Sequence, residues 1–364
     1  MKIAYDSQIF LMQEYGGISR YICSLASLLS HHQGIETKIF APMHINAYLS
    51  SLPEKLVCGH KIPRIPKTGR LISIVNQIPL RIAINRFCPD IVHETFCNAS
   101  SSAPKSARTV VTVHDMIHER FPSEFSKQDR TSECKRIATQ RADHVICVSE
   151  NTRKDLLEFF DLPEDKVSVV YHGIDNLVQG LFESVCKNKP YLLYVGQRGS
   201  YKNFEGLLRA YASSPWLRNN FDLRCFGGGV FSRDEKKLFD DLKLSDNQLI
   251  HMTGNDDKLA STYRDAALFV YPSLYEGFGI PPLEAMSLGC PVACSNNSSI
   301  PEIVGDAAEY FDPKSIESIR IAIEKILNST IRQAKLIDLG RLRFSQFSKD
   351  RCAEETLAVY KNLM

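Results

Sequence analysis

Short apolar segments alternate with helix-forming stretches along nearly the whole chain, and this alternation limits the fold more than any other feature. The first half carries "KIAYD" (2–6), "TKIFA" (37–41), "DIVHE" (90–94), "TVVTVHD" (109–115), "HVICVS" (144–149) and "KVSVVYHG" (166–173). The second half carries "YLLYVG" (191–196), "DLRCFGGG" (222–229), "QLIHMTG" (248–254), "LFVYPS" (268–273) and "CPVACS" (290–295). Continuous apolar strands separated by helices form parallel sheets covered on both faces. Several of these segments end in Gly, Ser or His where the next helix should begin. In folds of this kind ligands bind at the carboxyl ends of the strands.

The stretch "DNLVQGLFESVCKNKP" (175–190) lacks strand periodicity and ends in Lys, Asn and Pro, so it reads as a linker. At 364 residues the chain exceeds the size at which one hydrophobic core stops growing. The expected class is therefore α/β, with two Rossmann-like domains at 1–174 and 191–345 facing a shared cleft. A C-terminal helix spans 346–364, with Ala353, Leu357, Val359 and Tyr360 on its apolar side.

Composition narrows the function. A formal net charge of +2 gives no field suited to nucleic acid. The opening "MKIAYDS" reads as a strand rather than a signal peptide, and no run approaches bilayer length, so a cytoplasmic protein is expected. The eleven cysteines are odd in number and scattered, without a CxxC. The closest pair, Cys290 and Cys294, falls on an expected buried strand. Reduced core residues fit this pattern better than a disulfide or zinc framework.

Within "LYEGFGIPPLEAMSLG" (274–289), Gly277 and Gly279 permit a sharp turn, and Pro281 and Pro282 suit the first turn of a helix that Gly289 can close. Glu276 thus lies on the loop after a strand, and Glu284 in the first turns of the next helix, whose unpaired amides favour an anion. Arg198 and Lys202 sit on another strand–helix loop, before a helix starting near Asn203. Two cations there oppose the helix dipole and make sense around a bound anion; a solvated loop with two surface charges is the plain alternative. Gly16 and Gly17 precede an amphipathic helix and can present amides to a phosphate, or form an ordinary turn. His114 ends "TVVTVHD" and could bond a ligand hydroxyl or be structural; with His118 it lacks the HExxH order of a zinc protease. Asp256 and Asp257 read as a solvated helix start rather than a metal site. Glu276 and Glu284 on loop and helix interior suit an extended ligand better than a hydrolytic pair flanking one bond.

These residues together resemble family 4 of the retaining glycosyltransferases, of two-Rossmann GT-B architecture. The resemblance rests on "EGFGIPPLEAMSLGCPVACSNNSSIPEIVGDAAEYFDP" (276–313) with its E-x7-E pattern, and on "GGISRY" (16–21), "VHD" (113–115), "VSENTRKDL" (148–156), "VVYHGID" (169–175) and "YVGQRGSYKNF" (194–204). It implies that Glu276 contacts the donor sugar near the reacting centre and that Glu284 binds the ribose hydroxyls. Arg198 and Lys202 would hold the diphosphate, Gly16 and Gly17 would lie beside the phosphates, and His114 would lie near the sugar. The amides of Phe278, Gly279 and Ile280 would face diphosphate and sugar, and Thr253 in "MTG" (252–254) the base. The C-terminal helix would cross back to the N-terminal domain.

The chain departs from the family at His172, where many members have Asn, and at Lys349, where Trp is frequent. The first leaves interdomain contacts open and the second the crossover helix. No convincing DxD motif stands in the chain, so the resemblance implies no metal and no cofactor beyond a nucleotide-sugar donor. Bacterial mannosyltransferases of surface-polysaccharide (O-antigen or capsule) assembly are most similar, which implies GDP-mannose and a lipid-linked or oligosaccharide acceptor. A UDP-hexose or deoxysugar donor, an epimerase or phosphorylase, and a catalytically silent sugar-nucleotide-binding subunit remain alternatives. From Lys55 to Phe87 the chain carries seven Lys and Arg and no Asp or Glu, interleaved with Leu, Ile and Val. That stretch suits an interfacial segment on an anionic membrane, or the plain packing of a helix onto the first sheet.

Overall fold

The computed structural model describes residues 1–65, 68–174, 189–245 and 247–364. Lys67 and nearly all of the expected linker, 175–188, lie outside the described residues. The chain divides into two compact units, Met1–Gly173 with Ser348–Met364, and Ile174–Phe347.

The first unit holds a seven-stranded sheet of β1 (Lys2–Tyr5), β2 (Glu36–His44), β3 (Val57–Lys61), β4 (Ile91–Glu94), β5 (Arg108–Val113), β6 (His144–Cys147) and β7 (Val167–Val169). All its pairings are parallel, in the order β3-β2-β1-β4-β5-β6-β7. The second unit holds β8 (Tyr191–Val195), β9 (Asp222–Phe226), β10 (Leu249–Met252), β11 (Leu268–Tyr271), β12 (Val292–Ser295) and β13 (Glu309–Phe311). Its order, β10-β9-β8-β11-β12-β13, is also parallel throughout. In each sheet the chain order reverses once, between β1 and β4 and between β8 and β11. Such a switch point leaves a crevice outside the strand ends in which ligands bind.

The central strands β4, β11 and β12 are buried along their whole length, which is why they read as unbroken apolar runs. The expected strands all form, but β3 and β13 are additional. Both are edge strands, with sequences "VCGHK" and "EYF" too short and mixed to signal burial on two faces. Three glycines expected to extend β9, Gly227, Gly228 and Gly229, lie at φ +85°, +71° and +74° and leave the sheet.

Helix α1 is Gln8–Met12, α2 Gly17–Leu29 and α3 Gly69–Phe87. The final helix, Lys349–Asn362, returns to the first unit. There Ala353, Leu357 and Tyr360 join the core formed by β1, β4 and α2, with Val359 packed beside it. The Tyr360 hydroxyl meets His93 Nδ1 at 2.5 Å, and His93 Nε2 meets Thr112 Oγ1 at 2.8 Å.

All ten described cysteines are free thiols; Cys290 and Cys294 are buried, as are most others, while Cys88 is exposed. Burial pushes the Cys290 thiol up to about 12, so it is an apolar filler rather than a nucleophile.

Candidate active site

The switch point of the second sheet gathers the strongest constellation. After β8 the chain passes through Gly196–Lys202, and after β11 through Pro272–Gly279. The two loops are tied together: the Leu274 amide donates to the Tyr201 carbonyl at 2.7 Å. Asn203 has left-handed backbone (φ 52°) and sends its side-chain amide to the carbonyls of Pro272 (3.1 Å) and Pro313 (2.7 Å). It spends its side chain fixing the loops rather than capping the helix Phe204–Ser213.

Across this junction Lys202 Nζ donates to both Glu276 oxygens, at 2.7 and 2.9 Å. Glu276 is 7% exposed, so its charge must be balanced locally. Tyr271 is also hydrogen-bonded to Glu276, and burial pushes its phenol well above its ordinary range. The Glu276 backbone is held in turn: its amide donates to Ser298 Oγ at 3.0 Å, and its carbonyl accepts from Ser299 Oγ at 2.9 Å. Ser299 Oγ lies equally close to the Phe278 carbonyl, at 2.9 Å, so one hydroxyl sets the loop's curvature.

Gly279, at φ +104°, turns the chain into the helix Ile280–Ser287, with the prolines in its first turn. A side chain would strain that backbone. The other end closes as expected: Cys290 N donates to Ala285 O (2.9 Å) and Gly289 N to Met286 O (3.1 Å), with Gly289 at φ +71°. Glu284 is partly buried on this helix and accepts from the Tyr263 hydroxyl at 3.1 Å. The first turn of the helix itself holds no acidic residue.

Arg198 differs from the expectation of a cation open to an anion. Its side chain is 4% exposed. Nε donates to Glu235 Oε1 at 2.5 Å, and Nη1 to the Gly227 carbonyl at 2.8 Å. Nη2 reaches the carbonyls of Gly228 (3.3 Å), Gly229 (2.8 Å) and Val230 (3.2 Å). Left-handed glycines aim those carbonyls inward; a Cβ on Gly228 would stand 2.6 Å from Arg198 Nη1. Burial opposes ionisation of Glu235, but the bonds from Arg198 and Ser232 outweigh it and hold that carboxyl below its ordinary range. The structure thus does not bring Arg198 and Lys202 onto one partner. Arg198 braces the loop after β9, and Lys202 meets Glu276.

The remaining candidates are dispersed. Thr253 is exposed, one residue past β10. Asp256 and Asp257 occupy the first turn of the helix Asp256–Arg264 behind the Asn255 cap, as a solvated helix start would. In the first unit Gly17 begins α2 and Gly16 is its extended N-terminal neighbour. His114 follows β5 and stacks on His172 at 5.3 Å between ring centroids, with Nδ1 and Nε2 3.3 Å apart and Tyr21 edge-on to both. Burial, with His93 and Lys135 adding to it, pushes His114 down to about 3, so its ring is neutral. Its Nε2 is buried with no partner among the described residues.

Sequence reasoning missed Asn203, Glu235, Ser298 and Ser299. The signals were present in "KNF", in "GGG" directly after a strand, and in "NNSSI" after β12.

Residues 15–176 match the family described as Glycosyltransferase Family 4, and residues 182–343 match Glycosyl transferases group 1. The chain belongs to the family 4 glycosyltransferases. This glycosyltransferase is 27% identical over 373 residues to the O-antigen chain mannosyltransferase B of Escherichia coli, covering 95% of this chain and 96% of that one. It is 30% identical over 275 residues to the serotype-specific mannosyltransferase WbdA of Escherichia coli, covering 68% of this chain and only 33% of that longer protein. Among solved structures, sucrose-phosphate synthase from Thermosynechococcus elongatus superposes with a TM-score of 0.79 at 20% identity, covering 100% of this chain and 98% of that one. That likeness carries the two-Rossmann GT-B fold class.

Proposed function

We propose that this glycosyltransferase moves mannose from GDP-mannose onto a lipid-linked saccharide of a surface polysaccharide, with retention and without a metal ion. The observation that carries the reading is the junction of Lys202 with Glu276 at the switch point of the second sheet, beside a helix N-terminus. A leaving diphosphate there would be stabilised by Lys202 and by the amides of Phe278, Gly279 and Ile280, fixed donors that need no reorganisation as charge develops. Glu276 would hold the sugar and Glu284 the ribose hydroxyls. The names of the relatives support mannose as the sugar. Attack by the acceptor hydroxyl would come from the face that the diphosphate leaves. The C1–O bond to phosphate breaks, the new glycosidic bond forms, and a phosphate oxygen takes the acceptor proton.

Lys202 donates to both Glu276 oxygens, so donor binding would draw Lys202 toward phosphate while Glu276 turns to sugar hydroxyls. Arg198 would act by positioning the neighbouring loop.

The outer face of α3 supports a membrane-surface acceptor. Leu71, Ile74, Val75, Ile78 and Ile82 are 63%, 64%, 53%, 70% and 47% exposed and lie along one stripe, opposite buried Asn76, Leu80, Ile84 and Phe87. Packing onto the sheet and an exposed apolar face therefore coexist on one helix. No helix among the described residues is long and apolar enough to cross a membrane.

The test is transfer from GDP-mannose to an extracted lipid-linked acceptor. Glu276→Gln should abolish transfer and leave GDP binding intact, whereas Glu284→Ala should weaken GDP binding by roughly 1.5–3 kcal/mol, the worth of a charged hydrogen bond. Activity should persist in EDTA, and GDP should appear only with acceptor present. Wild-type turnover by Glu276→Gln, or activity restored only by manganese, would overturn the reading.

A further inference from the structure

Three rings from separate segments close over the carboxyl end of β5, all within the first unit. His114 follows that strand, His172 follows β7, and Tyr21 stands on α2. The two imidazoles lie nearly parallel, at 9°, and the Tyr21 ring is edge-on to both, at 5.6 and 4.7 Å between centroids. The Tyr21 hydroxyl is anchored on Thr112 of β5 and on Thr356 of the final helix, so that ring is a fixed wall.

The two nitrogens of His114 are treated unequally. Its Nδ1 lies 3.3 Å from His172 Nε2, whereas its Nε2 is buried with no partner among the described residues. A buried polar atom left unpaired costs about 1–3 kcal/mol, and a phenylalanine would fill the same space without that cost. Packing alone therefore does not account for a histidine here. Turning the ring over about Cβ–Cγ would put carbon in place of Nδ1 and lose the bond. His172 thus selects between two orientations that contact among flat rings leaves nearly equal.

The same bond couples the protons of the two rings. Burial pushes His114 down to about 3 and lowers His172 as well, so both rings are neutral. A neutral imidazole carries one N–H and one bare nitrogen. Two such nitrogens facing each other bond only when one holds the hydrogen and the other does not. The partner of one ring nitrogen therefore sets what the other nitrogen can do.

We propose that His172 is a positioning residue, which holds the His114 imidazole in one orientation and one tautomer. The inference takes from the family resemblance that His114 lies near the transferred sugar, and adds what fixes the ring there in a chain that has His at a position where many members have Asn.

The experiment compares His172→Phe, which keeps a flat ring and removes the nitrogen, with His172→Gln, whose amide can take the place of Nε2. Long-range proton–nitrogen NMR spectra of the full chain, labelled at histidine, read the tautomer directly. Wild type should show His114 as a single tautomer, His172→Phe should show an exchange-averaged mixture, and His172→Gln should restore the single form. With GDP-mannose and a lipid-linked acceptor, His172→Phe should lower kcat by about 10²-fold, the scale of misplacing a group by about 1 Å. The donor KM and stabilisation by GDP should stay at their wild-type values. If His172 acts through His114, the double variant His114→Phe with His172→Phe should be no slower than His114→Phe alone. An unchanged tautomer in a folded His172→Phe protein, no recovery by a folded His172→Gln protein, or additive losses in the double variant would each overturn the inference. Absence of transfer by wild type would count against the proposed donor and acceptor and leave the role of His172 to the NMR spectra.

Discussion

Replacing Arg198 with Ala separates a brace from an anion ligand. The substitution removes five hydrogen bonds at once and leaves Glu235 without its partner. Breaking one side of a buried ion pair costs about 3–5 kcal/mol. Glu235 keeps 20% of its side-chain surface exposed, which lets water relieve part of the loss and favours the lower end. With a urea slope of about 2 kcal/mol per molar, the unfolding midpoint of the second unit should fall by about 1.5 M. Trp216 makes the assay direct. It is the only tryptophan, lies in that unit and packs on Phe221, so its fluorescence follows the unit's unfolding. Arg198→Lys keeps the charge but loses the planar fork, and should fall between the two. A midpoint for Arg198→Ala within about 0.3 M of wild type, a shift of less than 1 kcal/mol at that slope, combined with lost GDP binding, would refute the bracing argument and make Arg198 a direct ligand.

Gly228→Ala should destabilise more than Gly229→Ala in the same fluorescence assay. Both sit at positive φ, costing roughly 1–2 kcal/mol each, but only the Gly228 Cβ meets Arg198 Nη1 (2.6 Å) and the Gly196 carbonyl (2.9 Å); equal midpoints would refute the cage. Acid should unfold the first unit early, because His93 and His114 are pushed down to about 3 and His172 is also lowered. These groups stay neutral in the fold and titrate near 6.5 when unfolded, so the stability they allow is full above pH 6.5 and declines toward pH 3. The slope is at most about 1.4 kcal/mol per pH unit for each. Glu94, raised to about 7 by burial, opposes one of them between pH 7 and 4.5, and His93→Gln should flatten the net slope measured by urea melts across that range. Ile74→Glu with Ile78→Glu should reduce co-sedimentation with anionic liposomes at unchanged melting temperature, since both positions are exposed. Sedimentation equal to wild type would leave α3 as a packing helix.

The sequence by itself determined the fold class. Central strands covered on both faces must be apolar at every position, so β4, β11 and β12 are legible without knowing their neighbours. It also determined the local form of the Glu276–Gly289 motif, because Pro at a helix start and Gly at its end are restricted by their own backbones. The edge strands β3 and β13 were not legible, unlike β7 and β10 at the opposite edges, because "VCGHK" and "EYF" carry no apolar run or alternation and are held as strands by pairing with β2 and β12. Which charges share a partner was decided only by the tertiary structure. Arg198 and Lys202 stand four residues apart, yet one turns to Glu235 on the helix after β9 and the other to Glu276 after β11. Spacing along a loop does not fix side-chain direction; the strand order does, because β8 lies between β9 and β11 and presents its loop to both.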